Sequence, residues 1–398
     1  MSFLRRTPWF AVPLGVFLVT RVVGALLIVL VARDQIPASA LPPHMPMPTL
    51  VDPASYLHVI ANWDGQWYRS IVEHGYPRHL PMKNGVVQEN AWAFYPIFPA
   101  LVWVLTLTGL PFGAAASIVS LTAGAAAMCL LYRLLRARCG DFLTALTIVA
   151  ICFAPAAPIL QAAYSDSLGL LLLVVALTCV ERRRHGWLLV TGLLLALTRP
   201  ITLPLVVVTG VEMVRRWRRR ETDPFPVRER WELAGVTGAL VAFAGLWPAV
   251  TGLVVGDWSA YSKTQHAWRV DVAGTGADTW LSSLVHGATA SRWIFVVLVV
   301  GGALLIALRS RRWTLGLRVW TAVYPLFILA TTPVTFSLVR YGLMVGPAWW
   351  PFGRVDGRLL SGRARVPLVA AVIVGGIVTQ LIWLNWFFVI TPSNHGIP

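Results

Sequence analysis

Charge is what this chain has least of. Only 13% of its 398 residues are Asp, Glu, Lys or Arg, about half the share with which a soluble domain covers itself. A water-soluble globular body is excluded on that ground. Cysteine is scarce too. Cys129, Cys139, Cys152 and Cys179 lie in or beside apolar segments, with neither zinc-site spacing nor the pattern of a disulfide scaffold. They are small core residues. A nucleotide phosphate loop, a serine triad and a zinc set are all missing. What is abundant is oil: 57% of the residues are hydrophobic and mean hydropathy is +0.68. The composition is that of an all-α polytopic membrane protein. A net charge of +16 could point to nucleic acid. The basic residues, however, stand in short blocks between apolar runs, as cytoplasmic loops require, and no nucleic-acid partner is expected.

Those blocks set the expected topology. Arg5 and Arg6 precede an apolar run from Trp9 to Ala32. Ala38-Ser39-Ala40 resembles a cleavage site, but the run exceeds the roughly 7–15 residues of a signal peptide. It reads as a retained anchor with a cytoplasmic N-terminus. Arg133 to Arg138, Arg182 to His185, Arg215 to Arg220, Arg309 to Arg312 and Arg354 to Arg365 are then cytoplasmic. Parity between outside and inside makes Phe94–Leu107, with Pro96 and Pro99, a surface or re-entrant helix and Gly113–Tyr132 the true span. Phe142–Leu160 goes out and Leu168–Val180 returns. Trp187–Thr198 and Ile201–Val214 are each short for a bilayer core of about 30 Å and meet at a break, Arg199-Pro200. Trp231–Val255, Trp293–Leu308, Leu315–Ala330, Phe336–Trp350 and Val366–Ile390 follow. The expectation is about eleven transmembrane helices in a single integral membrane domain, 1–398. A first extracytoplasmic loop over 33–112 would carry short surface helices after the proline-rich stretch Pro37–Pro53, and a second loop would cover 256–292.

The polar exceptions then gather on one face. The first is Asn62-Trp63-Asp64-Gly65-Gln66-Trp67-Tyr68, followed by Glu73-His74-Gly75-Tyr76 and Ala93-Phe94-Tyr95-Pro96. A carboxylate ringed by Trp63, Trp67 and Tyr68 beside apolar surface is costly to keep charged, though an interfacial aromatic belt is the plainer alternative. Tyr164-Ser165-Asp166-Ser167, Arg199, the loop Asp257 to Arg269 and the pair Arg340-Tyr341 fall on the same side. Asp166 also suits a helix cap, and Arg199 a snorkelling side chain. Lys263, Gln265, His266, Trp268 and Arg269 also suit a wet loop. His74 has no second histidine at metal spacing. Arg340 has no such plain use, since it lies in an apolar run with no neighbouring acid.

A carboxylate, aromatic rings and arginines at an outer membrane face suit transfer of a sugar from a lipid phosphate. Rings stack on sugars, and the carboxylate takes the proton of the attacking hydroxyl. Guanidinium groups stabilise the departing phosphate. The pattern Trp63-Asp64…Tyr68…Ile71…Glu73-His74-Gly75-Tyr76, then Ala93-Phe94-Tyr95-Pro96…Phe98-Pro99, resembles the signature of PIG-V-type mannosyltransferases. Tyr164-Ser165-Asp166-Ser167-Leu168, Thr198-Arg199-Pro200, Lys263-Thr264-Gln265…Trp268 and Arg340-Tyr341…Pro347 match in order. The resemblance runs from about residue 15 to residue 350, with Asp166 where the family has Glu, Ile201-Thr202 in place of Asn-Gly, and 78–88 looking like an insertion.

The resemblance implies a GT-C fold, a polyprenyl-phosphate-mannose donor and inverting transfer to a cell-envelope glycolipid or glycan at the extracytoplasmic face of the plasma membrane. Asp64 corresponds to the family's catalytic acid. Arg199, Arg340, Tyr341, Lys263, Gln265, His266 and Arg269 are the expected donor-binding set. Trp63, Trp67, Tyr68, Glu73, His74, Tyr164, Asp166 and Trp268 are expected to stack on or orient substrates. No cofactor is implied, and a lone acid without a second beside it is no metal-ligand set. The competing readings are a lipid or glycan transporter using the same cavity, a membrane scaffold, and a GT-C enzyme for another sugar such as arabinofuranose. A transporter would need a polar route to the cytoplasmic face, and the sequence supplies none.

Overall fold

The computed structural model describes residues 8–36, 54–268, 301–302, 304–305, 307, 313–332, 337–349 and 362–390. These are helical almost throughout, with one two-stranded hairpin among the described residues. Among the described residues, four helical stretches are long and apolar enough to cross a membrane: Ala11–Asp34, Phe112–Arg138, Val227–Val255 and Arg365–Phe388. The shortest has 24 residues, or about 36 Å of helix against a hydrocarbon core of about 30 Å. Shorter apolar helices are Ile97–Thr106, Asp141–Cys152, His185–Ala196 and Leu315–Thr331. The expected span Trp293–Leu308, the stretch Pro37–Pro53, residues Arg269 to Arg292 of the second loop and the ends Phe336 and Trp350 lie largely or wholly outside the described residues.

Local sequence explains where the helices depart from the expected runs. Ile97–Thr106 has ten residues, or about 15 Å, too little to cross. The run Phe142–Leu160 is helical only to Cys152. Pro155 and Pro158 follow, and neither can continue a helix. The chain instead turns through a 3₁₀ segment, Ala157–Gln161. Around Arg199-Pro200 the helices His185–Ala196 and Thr202–Arg218 are separated by five non-helical residues, Leu197 to Ile201. The run Trp231–Val255 is two helices, Val227–Ala244 and Leu246–Val255, meeting at Gly245.

The chain divides into two compact units, 1–69 with 100–174 and 335–398, and 70–99 with 175–334. In the first, helix Ala11–Val31 packs against Phe112–Cys139, Asp141–Cys152 and Gly362–Trp383. The irregular turn after Cys152 is held by donors from two of these helices and from the start of helix Asp166–Glu181. Arg21, fully buried, donates to the carbonyls of Cys152 (2.9 Å) and Ala157. Ser117 donates to Gln161 O at 3.0 Å, Ser120 to Ala162 O at 2.7 Å and Ser167 to Leu160 O at 2.9 Å. Non-helical backbone in an apolar protein persists only where its carbonyls find such partners. The carbonyls of the turn that leads to Tyr164, Ser165 and Asp166 are thereby satisfied.

In the second unit, Thr202–Arg218 packs against Val227–Ala244 and Leu315–Thr331. Within the basic block, Arg216 is buried and donates to both Glu229 carboxylate oxygens and to Pro224 O at 2.7 Å. Tyr76, Trp92, Tyr95 and Trp247 form an aromatic core, with Tyr76 stacked on Trp92 at 4.7 Å.

Candidate active site

Asp64 owes its position to a strained turn. Trp63 has φ of 55°, a left-handed conformation that costs a bulky residue about 1–3 kcal/mol. Two hydrogen bonds to one carbonyl hold it there. The Trp63 indole donates to Phe388 O at 2.9 Å and the Asn62 amide donates to the same oxygen at 3.2 Å, while Asn62 also reaches Gln35 Oε1 at 2.8 Å. Phe388 closes a π-helical segment, Leu384–Phe388, a geometry that turns up often at functional sites. Past the turn, Asp64 opens helix Asp64–His74. Gly65 lets that helix lie against the neighbouring turn, since a Cβ there would sit 3.3 Å from the Ala163 Cβ.

Arg340 meets Asp64 from the helix Ser337–Tyr341. Its Nη1 donates to Asp64 Oδ2 at 2.7 Å and its Nη2 to the Tyr341 hydroxyl at 3.3 Å. The guanidinium lies 5.3 Å from the centre of the Tyr164 ring and 5.0 Å from that of Tyr341, within cation–π range of both. Arg340 is 5% exposed, and its Nε has no hydrogen-bond partner among the described residues. Tyr164 is fully buried and donates to Asn62 O at 3.0 Å. Burial, and next the charge of Asp64, push its hydroxyl well above the ordinary tyrosine range, so it stays a neutral donor. Tyr68 donates to Ser165 Oγ at 2.9 Å. Asp166 is buried at the first residue of helix Asp166–Glu181, where a carboxylate suits the helix dipole. Its charge reaches both Tyr164 and Arg340.

Asp64, Arg340, Tyr341, Tyr164, Asp166 and Tyr68 thus belong to one unit, and half-buried Trp67 lies on the Asp64 helix in the same unit. Trp63 shares that unit, but the structure corrects its expected stacking role. The ring is 6% exposed and its N–H is spent on Phe388, which leaves no face for a sugar; it holds the turn.

Glu73 and His74 are exposed at the other end of the Asp64 helix, about 14–15 Å along its axis. They do not share the Asp64 turn. Arg199 is buried in the break after Ala196, in the second unit. That unit also holds helix Ala260–Ala267, with exposed Lys263 and His266 and half-buried Gln265, and after it Trp268 edge-on to Phe94 at 5.4 Å. The Lys263 ammonium pairs with Asp257 at 2.7 Å. Arg269 lies outside the described residues. Asn62, Gln35 and Phe388 were not singled out from the sequence. Asn62 opens the acidic stretch but had no role assigned, and a main-chain carbonyl at Phe388 carries no sequence signal. Among the described residues no three His, Cys, Asp or Glu side chains stand together as a metal set.

No family model matches the chain, and no curated protein does. Solved structures of the Archaeoglobus fulgidus oligosaccharyltransferase show a weak likeness. The complex with zinc and sulfate gives a TM-score of 0.49 at 14% identity, over 95% of this chain and 54% of that one. The AglB complex with an inhibitory peptide and a dolichol-phosphate gives 0.49 at 14%, over 95% and 56%. The form tethered to an acceptor peptide containing the NVT sequon gives 0.47 at 12%, over 99% and 57%. The chain spans little more than half the length of these structures, and scores below 0.5 do not establish a common fold.

Proposed function

We propose that this chain is a membrane glycosyltransferase of the GT-C kind. In this reading it moves a mannosyl residue from a polyprenyl-phosphate donor to a cell-envelope glycolipid or glycan, with inversion, at an extracytoplasmic site. The observation that carries the reading is the Asp64–Arg340 pair, held at 2.7 Å with the guanidinium against two tyrosine rings in an apolar protein. Buried charge of this kind is costly and is retained for chemistry.

The division of labour follows from the atoms. Asp64 accepts the proton of the acceptor hydroxyl as its oxygen attacks the anomeric carbon. The bond from that carbon to the phosphate oxygen breaks, and the leaving phosphate gains negative charge. Arg340 donates to it through Nη2 and the unused Nε, a fork geometry suited to phosphate. While no phosphate is present, the guanidinium rests on Asp64 and occupies its Oδ2. Arrival of the donor draws Arg340 toward the phosphate and frees the carboxylate, so the base becomes competent only when the leaving group is in place. Tyr164, kept neutral, fixes the turn and supports the guanidinium by its ring.

The test is transfer by purified protein from radiolabelled polyprenyl-phosphate-mannose and, in parallel, from polyprenyl-phosphate-arabinofuranose, with membrane lipid as acceptor. The mannosyl product with inverted anomeric configuration is expected. Transfer from the arabinofuranosyl donor alone would keep the enzyme class and change the sugar, and transfer from neither would overturn the reading.

A further inference from the structure

The second unit carries a built groove that the proposed chemistry does not use. Its volume is about 720 Å³, within the roughly 300–1,000 Å³ of small-ligand sites. One wall is the segment that looked like an insertion. It is a hairpin in which Met82 pairs with Val87 and Lys83 with Val86. Asn84 and Gly85 take φ of 51° and 78°, the left-handed pair that a two-residue hairpin turn demands. Two-residue strands do not stand alone. The base of this hairpin is fastened instead, by Asn90 to Thr264 Oγ1 at 3.1 Å and by the Trp92 indole to Pro77 O at 2.9 Å. It presents Leu80, Met82, Val86 and Val87 to the groove, with Met82 63% and Val86 53% exposed.

The other wall is polar and comes from Asp257, Ser262, Lys263 and His266. Asp257 accepts from the Ser259 backbone N–H at 2.8 Å, the Ser259 hydroxyl at 2.6 Å and Lys263 at 2.7 Å. Lys263 first, and then Ser259, hold its carboxyl at about 2, so it is ionised at any physiological pH. The lysine charge is therefore matched within the groove. A phosphate entering here would meet a neutralised cation and a carboxylate. A sugar would meet an ionised acceptor, an ammonium donor and a histidine able to do either, opposite an aliphatic wall for its C–H face.

We propose that this groove is a binding site for a neutral glycan, the sugar chain of the acceptor. The proposal rests on the glycosyltransferase reading for the word acceptor, and on the groove alone for the word glycan. It is tested with the full-length protein in detergent, carrying Asp64→Asn so that nothing turns over. Binding is measured by saturation-transfer NMR and calorimetry. The probes are linear trisaccharides of mannose, glucose, galactose and arabinofuranose, with inorganic phosphate as competitor. At least one trisaccharide is expected to bind saturably, about tenfold more weakly after His266→Ala or Asp257→Asn, and to be indifferent to phosphate. Val86→Trp, a bulky neutral change at an exposed hairpin position, narrows the groove from its aliphatic wall and is expected to abolish binding while leaving the melting temperature unchanged. The proposal is overturned if no trisaccharide binds, if binding survives all three changes, or if phosphate displaces the sugar. Because no donor is present, failure of lipid-linked transfer leaves this result standing, and failure of the groove leaves the Asp64 chemistry standing.

Discussion

Two ion pairs of equal length do different things in this protein. Asp64–Arg340 and Asp257–Lys263 both measure 2.7 Å. The Arg340 and Asp64 side chains are 6% and 20% exposed, whereas those of Lys263 and Asp257 are 52% and 37% exposed. Water screens the second pair, and little stability rides on it. The first lies where each charge depends on the other. Contact distance alone would rank them as equals; burial separates a pair that can store reactivity from one that shapes a polar wall.

The largest effect is expected where that dependence is broken. Arg340→Ala leaves Asp64 without its counter-charge, a change that costs about 3–5 kcal/mol in buried pairs. Thermal unfolding in detergent should show a clear drop in melting temperature together with loss of transfer. Adding Asp64→Asn to it should recover much of the stability and none of the activity. If the single variant melts like the wild type, the pair is not the buried device described here.

Trp63→Phe is expected to act next. It removes one of two donors to Phe388 O and so costs about 1 kcal/mol, while the left-handed turn keeps its strain. The turnover number should fall with little change in KM for the donor, because the ring holds Asp64 and touches no substrate. A rise in KM alone would return Trp63 to a stacking role.

The exposed pair should give the smallest response, and its sign can be stated. The carboxyl of Asp257 is lowered to about 2 from an ordinary value of about 3.9. Its contribution is thus fully present above about pH 4 and is lost as pH falls through about 2. Lys263→Gln should raise that titration toward the ordinary value, as followed by carboxylate NMR, and leave the melting temperature between pH 5 and 8 unchanged. A pH-dependent loss of stability in that range would contradict the assignment.

What the sequence made legible was charge set against an apolar background. Asp64, Arg340 and the break at Arg199-Pro200 stood out because a charge or a proline there has few uses. The helix end after Cys152 was also written in Pro155 and Pro158, although hydropathy ran straight through them. Asn84-Gly85 carried a hairpin signal within a segment read only as an insertion. The support beneath Asp64 was not legible, because Phe388 acts through its carbonyl and lies more than 300 residues along the chain from Trp63. Trp63 itself was misread because an aromatic beside an acid can serve a sugar or a turn, and only its burial decides.

The central claim is that Asp64 is the base and Arg340 its partner in a lipid-phosphate-dependent transfer. The most direct measurement compares wild type and Asp64→Asn in single-turnover transfer of labelled mannose from polyprenyl phosphate, both at saturating donor. A rate about 10²–10⁴ lower in folded protein is the expected result, the range that general-base catalysis supplies, with a lowered melting temperature because Arg340 loses its counter-charge. Undiminished transfer by the folded Asp64→Asn protein would contradict the account.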